Sequence, residues 1–232
     1  MRTTLAALLL LATLPFETSA GPAQMDETEA WTRFRGPNGS GVVDTGALPT
    51  SFGPDTNVIW KTELAPGHSS PILSERRIFL TATDNDHLMT IALDRESGEV
   101  LWQRQAPRPR TEFYDYRSNA AAPSPAVGDG SIYVFFPDFG LMSYTFEGEE
   151  RWHVPLGPFN NIYGMGASPV LVGDKVILVC DQNVGSFMVA VHKDTGEVLW
   201  EVQRPEAKSG HSTPVLWESP EGETQLILPG SF

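Results

Sequence analysis

Two histidines in matching positions are the first candidates for chemistry in this 232-residue chain. His68 and His211 stand in the phrases Gly67-His68-Ser69-Ser70-Pro71 and Gly210-His211-Ser212-Thr213-Pro214. An imidazole titrates near neutral pH and can bind a metal ion or an anionic ligand. If each phrase opens the innermost strand of a repeated unit, both rings face the mouth of a central channel. The alternative is that the phrase only bonds the backbone of a neighbouring unit.

For two further groups, the surrounding residues favour a structural role over a chemical one. Asp84-Asn85-Asp86 is the densest cluster of oxygen ligands of the kind that Ca²⁺ prefers. The cluster stands between two apolar runs, however, where Asp and Asn are favoured by turn geometry alone. Cys180 is the only cysteine, which excludes an intrachain disulfide. It ends the run Val176–Cys180, so we expect a small buried side chain and not a reactive thiol.

Two predicted loops contain arginines that could bind a ligand or a partner. Arg33 and Arg35 precede the glycine-rich segment 36–41, but this segment lacks the Lys and the spacing of a phosphate-binding loop. The long connection from Gln103 to Ala122 contains Phe113-Tyr114-Asp115-Tyr116-Arg117. Aromatic residues with arginine are typical of interaction surfaces. Tyr114, Tyr116 and Arg117 are therefore candidates for binding a partner, with a loop that covers a strand edge as the alternative.

The elements that position these residues come from a repeat. Tryptophans recur at roughly 40 to 50 residues, and a Ser-Pro or Thr-Pro pair recurs between them; the positions are Trp60, Trp102, Trp152 and Trp200, and Pro71, Pro125, Pro169 and Pro214. Each unit contains four β-branched or aromatic runs separated by Gly and Asp turns. Helical repeats would need apolar residues at every third or fourth position, and the segments lack them. The sequence predicts an all-β propeller of four-stranded blades.

The ring of blades is expected to be incomplete. We predict a closing strand at 58–64, blades at about 68–102, 123–154 and 167–202, and a partial blade at 211–232 within a propeller region that covers 58–232. Three full blades and two partial ones correspond to about half of a seven- or eight-bladed propeller. The sequence therefore predicts a fragment that lacks on the order of 200 residues.

The N-terminal residues and the net charge restrict the expected location and the possible partners. Residues 1–23 have the layout of a secretory signal peptide, followed by an extension at 24–57, so we expect an exported protein in the periplasm or outside the cell. No cysteine follows this segment to carry a lipid, and no apolar run is long enough to span a membrane. The net charge of −13 argues against nucleic-acid partners. Protein partners or a small ligand remain.

Two motifs carry a resemblance to a known family. The closing phrase from Ala92 to Trp102 resembles the pyrroloquinoline-quinone (PQQ) type of propeller repeat, and the segment 31–39, Trp-Thr-Arg-Phe-Arg-Gly-Pro-Asn-Gly, is similar to the start of exported bacterial PQQ-binding-like β-propeller repeat proteins. This resemblance implies that the closing tryptophans dock on the next blade, Trp60 doing so across the ring closure. The turn glycines Gly98 and Gly196 belong to the same structural repeat.

The resemblance also implies two functions. One is a non-catalytic exported scaffold for protein or ligand binding, similar to the propeller scaffolds of outer-membrane protein assembly, with no cofactor and no catalytic residue. The alternative is a quinoprotein dehydrogenase domain, which would hold PQQ and Ca²⁺. Such enzymes usually carry a pair of adjacent cysteines against the quinone, and Cys180 has no neighbouring cysteine. The residues favour the scaffold and leave the enzyme open.

Overall fold

The chain folds into a series of antiparallel sheets that follow one another in sequence. The computed structural model describes residues 31–43, 48–74, 76–84 and 86–230. Blade 1 consists of β1 (Ile72–Leu73), β2 (Arg77–Thr83), β3 (His87–Asp94) and β4 (Val100–Pro107); blade 2 of β5 (Ala126–Gly128), β6 (Ser131–Phe136), β7 (Gly140–Thr145) and β8 (Glu150–Pro155); blade 3 of β9 (Val170–Val172), β10 (Lys175–Cys180), β11 (Phe187–His192) and β12 (Val198–Gln203); and blade 4 of β13 (Val215–Glu218) and β14 (Thr224–Ile227). In blades 1 to 3 each strand pairs with the next one along the chain. The predicted all-β propeller of four-stranded blades is confirmed.

Tight turns set the strand register within each blade. Between β5 and β6, Asp129 and Gly130 both adopt positive φ angles, 50° and 72°. Two successive residues with positive φ form the type of hairpin turn that matches the twist of paired strands. The turn pairs Gly128 with Ser131 and so places alternate residues of β6 on opposite faces of the sheet.

The core lies between the blades. Ile132, Val134 and Phe136 of β6 pack in a cluster shared with blade 1. The alternate residues Tyr133 and Phe135 pack in a second cluster shared with blade 3. All of β6 is buried, since both faces of blade 2 are covered. Each buried side chain of this size contributes about 1.5–3 kcal/mol, so blade-to-blade packing is the main source of stability.

The first strand of each blade lies nearest the axis. β5 contacts both β1 and β9, so these three strands form an inner wall. The fourth strands β4 and β12 lie outside, and most of their residues are exposed. A register shift occurs in each blade where the third strand meets the fourth, one residue before the tryptophan. Such a bulge re-aims the side chain that follows it.

Some predicted segments differ from the structure or fall outside it. Residues 58–64 are not assigned to a strand, and their role in closing the ring stays a prediction. The predicted signal peptide at 1–23 lies outside the described residues. Within the described part of the chain, no helix has the length and apolar character needed to cross a membrane.

Candidate functional site

The closing tryptophans join each blade to the next. Each indole N–H donates to a backbone carbonyl of the following blade: Trp60 to Arg95 at 3.0 Å, Trp102 to Phe146 at 2.8 Å, and Trp152 to Lys193 at 2.9 Å. A buried indole combines a large apolar area with one donor that needs a partner. The repeated contact thus fixes the position of each blade relative to its neighbour. Trp200 occupies the corresponding position on blade 3. The described part of blade 4 contains two strands, β13 and β14.

A glycine receives each docked ring. Gly98, Gly148 and Gly196 adopt φ angles of 74°, 82° and 73° and pack against Trp60, Trp102 and Trp152, respectively. A Cβ on Gly148 would lie 2.8 Å from an indole carbon, and one on Gly196 would lie 2.9 Å away. Both the positive φ and the close approach require glycine. These turns lie on one end of the propeller, which we call the turn face.

A ladder of hydroxyl groups joins the same blades at the inner wall. The Ser70 N–H donates to Ser124 Oγ at 2.8 Å, the Ser124 N–H to Ser168 Oγ at 2.9 Å, and the Ser168 N–H to Thr213 Oγ1 at 3.0 Å. These are the residues before the repeated prolines. Each hydroxyl therefore satisfies a backbone donor of the preceding blade, which would otherwise be left without a partner. The sequence marked these positions as a repeat but did not indicate this role.

The N-terminal segment crosses the inner strands as a strap, which we define as residues 31–43. The Trp31 and Thr32 carbonyls accept the Leu73 and Val127 N–H groups at 2.8 and 2.9 Å. The Asn38 side chain then pairs with both the N–H and the carbonyl of Leu216, each at 2.7 Å. Through these contacts the strap connects blades 1, 2 and 4. The Trp-x-x-Phe-Arg-Gly-Pro motif thus has a structural role that local sequence patterns did not predict.

The two candidate histidines lie at the other end of the inner strands. His68 is exposed, and its backbone N–H donates to the Ala121 carbonyl at 3.1 Å. The His211 ring lies 5.9 Å from the Tyr163 ring, centre to centre, and desolvation by its surroundings lowers its pKa. Among the described residues, neither histidine belongs to a group of three potential metal ligands. A ligand role for this pair stays a prediction.

The loop between blades 1 and 2 divides into a buried half and an exposed half. Tyr114 donates through its hydroxyl to Asp138 Oδ1 at 2.6 Å, and Asp138 is fully buried. Asp138 also accepts from Arg108 Nε at 2.5 Å and from the Glu112 N–H at 2.9 Å. Burial, and then the bond to Asp138, raise the pKa of Tyr114 well above its usual value. Of the three predicted loop residues, Tyr114 is therefore an anchor and not a free contact.

The exposed half forms a surface that we call the loop patch: Phe113, Tyr116, Arg117, Ile162 and Tyr163. Tyr116 is 88% exposed and Phe113 67% exposed. The Arg117 guanidinium lies 5.1 Å from the Tyr116 ring centre and 5.8 Å from that of Tyr163. The Asp115 N–H donates to the Tyr163 carbonyl at 3.4 Å, which links the two loops. The patch lies at the end of the propeller opposite the turn face, since β4 runs from the turn at Gly98 to this loop.

The patch residues are held by rigid neighbours. Asp115 forms an ion pair with Arg117 Nε at 2.5 Å, and Gly164 packs against the Tyr114 ring with a φ of 90°. The loop base is fixed by the buried Asp138 described above. An arginine that already contacts two rings and a carboxylate loses little conformational freedom when it meets a partner. The loop patch is thus a pre-organised contact surface of aromatic, apolar and cationic groups.

The described residues contain no cluster of ligands for the Ca²⁺ that would accompany PQQ in the dehydrogenase alternative. Calcium needs six to eight oxygen ligands at one point, and nowhere in the described ranges do three His, Cys, Asp or Glu side chains converge. Asp84 Oδ1 accepts the Asp86 and His87 N–H groups at 2.8 and 2.6 Å, which is a turn contact; Asn85 lies outside the described residues. Cys180 is fully buried.

The chain is similar to known proteins in sequence and in fold. Residues 42–189, more than half of the chain, match the model of a family described as outer membrane protein assembly factor BamB. No curated protein matches the sequence. Two solved structures share the fold: a quinohemoprotein alcohol dehydrogenase from Comamonas testosteroni (16% identity, TM-score 0.55, 78% of this chain and 28% of that one) and the quinohemoprotein alcohol dehydrogenase ADHIIG from Pseudomonas putida (19% identity, TM-score 0.53, 78% and 29%).

A third structure is BamB from Moraxella catarrhalis, with 20% identity, a TM-score of 0.43, and coverage of 62% of this chain and 38% of that one. The chain spans less than a third of the length of the two dehydrogenases. The similarity to the two dehydrogenases shows the propeller fold. The chain belongs to the PQQ-type propeller family that is described as outer membrane protein assembly factor BamB.

Proposed function

We propose that the protein is a non-catalytic, exported propeller scaffold that binds a protein partner through the loop patch. The proposal is supported by the position of the Arg117 guanidinium over the rings of both Tyr116 and Tyr163 on an exposed surface. Tyrosine and arginine are the residues that most often dominate protein–protein binding energy. Family membership and the layout of residues 1–23 support export.

The physical form of the patch favours a protein over a small ligand. Its aromatic and apolar groups come from two loops and stand outward, with Phe113, Tyr116 and Ile162 all exposed. Small-molecule sites are concave and bury most of their ligand. An outward surface with rigid aromatic anchors and one fixed cation suits the central part of a protein interface. The partner surface would present apolar side chains and at least one carboxylate.

Site-specific photocrosslinking in the full-length protein tests this function. A photoreactive phenylalanine analogue at Tyr116 should give a discrete crosslinked product with one partner protein in the envelope of the source cell. The matched control places the same analogue at Thr195, which is exposed on the turn face. Equal products from both positions, or none from Tyr116, Phe113 and Tyr163, would contradict a loop-patch interface.

The identified partner then allows a quantitative test. We expect Tyr116→Ala or Arg117→Ala to weaken binding by about 10- to 100-fold, as for interface anchors that contribute 1.4–3 kcal/mol. Val184→Ala is the control, because Val184 is 76% exposed in the β10–β11 connection, outside the loop patch. The dehydrogenase alternative is tested on the same full-length protein with added PQQ and Ca²⁺. Bound-quinone absorbance with dye-linked oxidation of an alcohol or a sugar would overturn the scaffold function.

A further inference from the structure

A cavity of about 580 Å³ lies on the turn face, away from the loop patch. It is bordered by the β1–β2 turn, the β5–β6 turn and the strap. Three arginines line it, Arg33, Arg76 and Arg77, together with the apolar side chains of Phe146 and Leu171. Ligand sites in proteins commonly have volumes of roughly 300–1,000 Å³ and combine apolar walls with a few charged groups. The cavity has the size and the composition of such a site.

The charges in this cavity do not balance among the described residues. Asp129 is the one described acid in the lining, and it already pairs with Lys193. Arg77 pairs with Glu147 at 3.0 Å, outside the lining. Arg76 lies in no ion pair within the described chain, although its charge helps to lower the pKa of Asp94, which is also outside the lining. Arg33 has no carboxylate partner in the described chain either. The described part of the lining therefore carries more positive than negative charge, within a protein whose net charge is −13; Glu75, between Ser74 and Arg76, lies outside the described residues.

Arg33 gives the strongest indication of a ligand. Its side chain is held by a bond from Nη2 to the Pro214 carbonyl, and the residue is only 8% exposed. Its Nε is buried and has no hydrogen-bond partner among the described residues. Burial lowers the pKa of Arg33, in line with a cation that lacks a counter-charge. A buried donor and an unpaired buried charge both cost free energy unless a partner is supplied.

We propose that this cavity is a binding site for a small oxyanion, a phosphate or a carboxylate group. An oxyanion in the cavity would lie beside the exposed guanidinium of Arg76 and the buried one of Arg33, and it would supply the negative charge that the described lining lacks. Guanidinium groups match the geometry of phosphate and carboxylate oxygens and bind them by charge-assisted hydrogen bonds. This recognition uses arginine side chains and differs from a glycine-rich phosphate loop, which the segment 36–41 does not form.

Calorimetric titration of the full-length protein with inorganic phosphate, and separately with succinate, at constant ionic strength tests the site. We expect one equivalent to bind, and Arg76→Gln to raise the dissociation constant about tenfold or more through the loss of one charge-assisted contact. Arg76 suits this test because it is exposed and forms no described ion pair. The control Lys208→Gln removes the same charge from an exposed position on the opposite end and should leave binding unchanged.

The same titrations are repeated in a second protein background, because an acidic side chain of the chain itself could occupy the site. Asp26, Glu27 and Glu29 precede the strap in the sequence, and Glu75 stands between Ser74 and Arg76; the background replaces them with Asn, Gln, Gln and Gln. Binding of either anion in one or both backgrounds, weakened by Arg76→Gln, supports the site, and the preferred anion distinguishes phosphate from carboxylate. No binding in both backgrounds, or equal weakening by Lys208→Gln, overturns it.

Discussion

Replacing Ser168 with alanine should weaken the joint between blades 2 and 3. The Ser168 hydroxyl accepts the Ser124 N–H at 2.9 Å, and both residues are 1% exposed. Alanine leaves that buried N–H without an acceptor, which costs about 2 kcal/mol within a range of roughly 1–3 kcal/mol. Ser124→Ala removes the acceptor for the Ser70 N–H, whose surroundings are only partly buried, so we expect a smaller loss of about 1 kcal/mol.

Urea unfolding of the full-length protein measures these losses. The midpoint should fall in the order Ser168→Ala below Ser124→Ala below wild type, with an unchanged denaturant slope. Ser51→Ala is the control, since Ser51 is exposed. Hydrogen exchange should show faster exchange of the Ser124 amide in the Ser168→Ala protein. An unchanged midpoint for Ser168→Ala, together with continued protection of that amide, would refute a stabilising role for the ladder.

Three further predictions concern the joints, the pH and the thiol. Gly148→Ala should lower the free energy of unfolding by about 2–4 kcal/mol, because the added Cβ would press on the Trp102 ring. The control Gly130→Ala should lower it by only about 1 kcal/mol, because Gly130 has a similar φ of 72° but no atom within 4 Å of the added Cβ. Thermal and urea unfolding measure both losses. Hydrogen bonds from its turn lower the pKa of Asp94 in the folded protein. The ionised carboxylate therefore stabilises the fold above the unfolded pKa of about 4, and this contribution is lost as the pH falls through the folded pKa. Asp94→Asn should flatten the decline of the urea midpoint between pH 6 and 3. Burial raises the pKa of Cys180, so a thiol reagent at pH 8 should modify it only after unfolding, and modification of the native protein would contradict that burial.

The sequence was sufficient for features that repeat. The recurring tryptophans and the turn glycines predicted four-stranded blades, because a repeated unit must bury the same face against each neighbour. The structure adds what each marker does: Gly148 both turns the chain and receives Trp102. The prolines marked a period as well, but the hydroxyl of the preceding residue acts on another blade. Its role is visible only when two blades are placed side by side.

Features that do not repeat could not be predicted from the sequence. Asn38 meets Leu216 across most of the chain length, and no local pattern connects them. Tyr114 and Tyr116 lie two residues apart with the same composition around them, yet one is anchored on Asp138 and the other is exposed. Which side of a loop faces the protein depends on the neighbouring blade. For the same reason, the sequence did not place Arg33 and Arg76 in one cavity.

The hydroxyl ladder has a consequence for how such a molecule can change in size. Every joint from blade 1 to blade 4 uses the same contact, in which a donor on one blade meets an acceptor on the next, so the interfaces are heterologous and run head to tail. A duplicated or deleted blade would therefore present the correct donor and acceptor to its new neighbours without any compensating substitution. The angle between blades, and not the chemistry of the joints, then decides how many blades close the circle. Loops and straps can diverge freely around this constant joint.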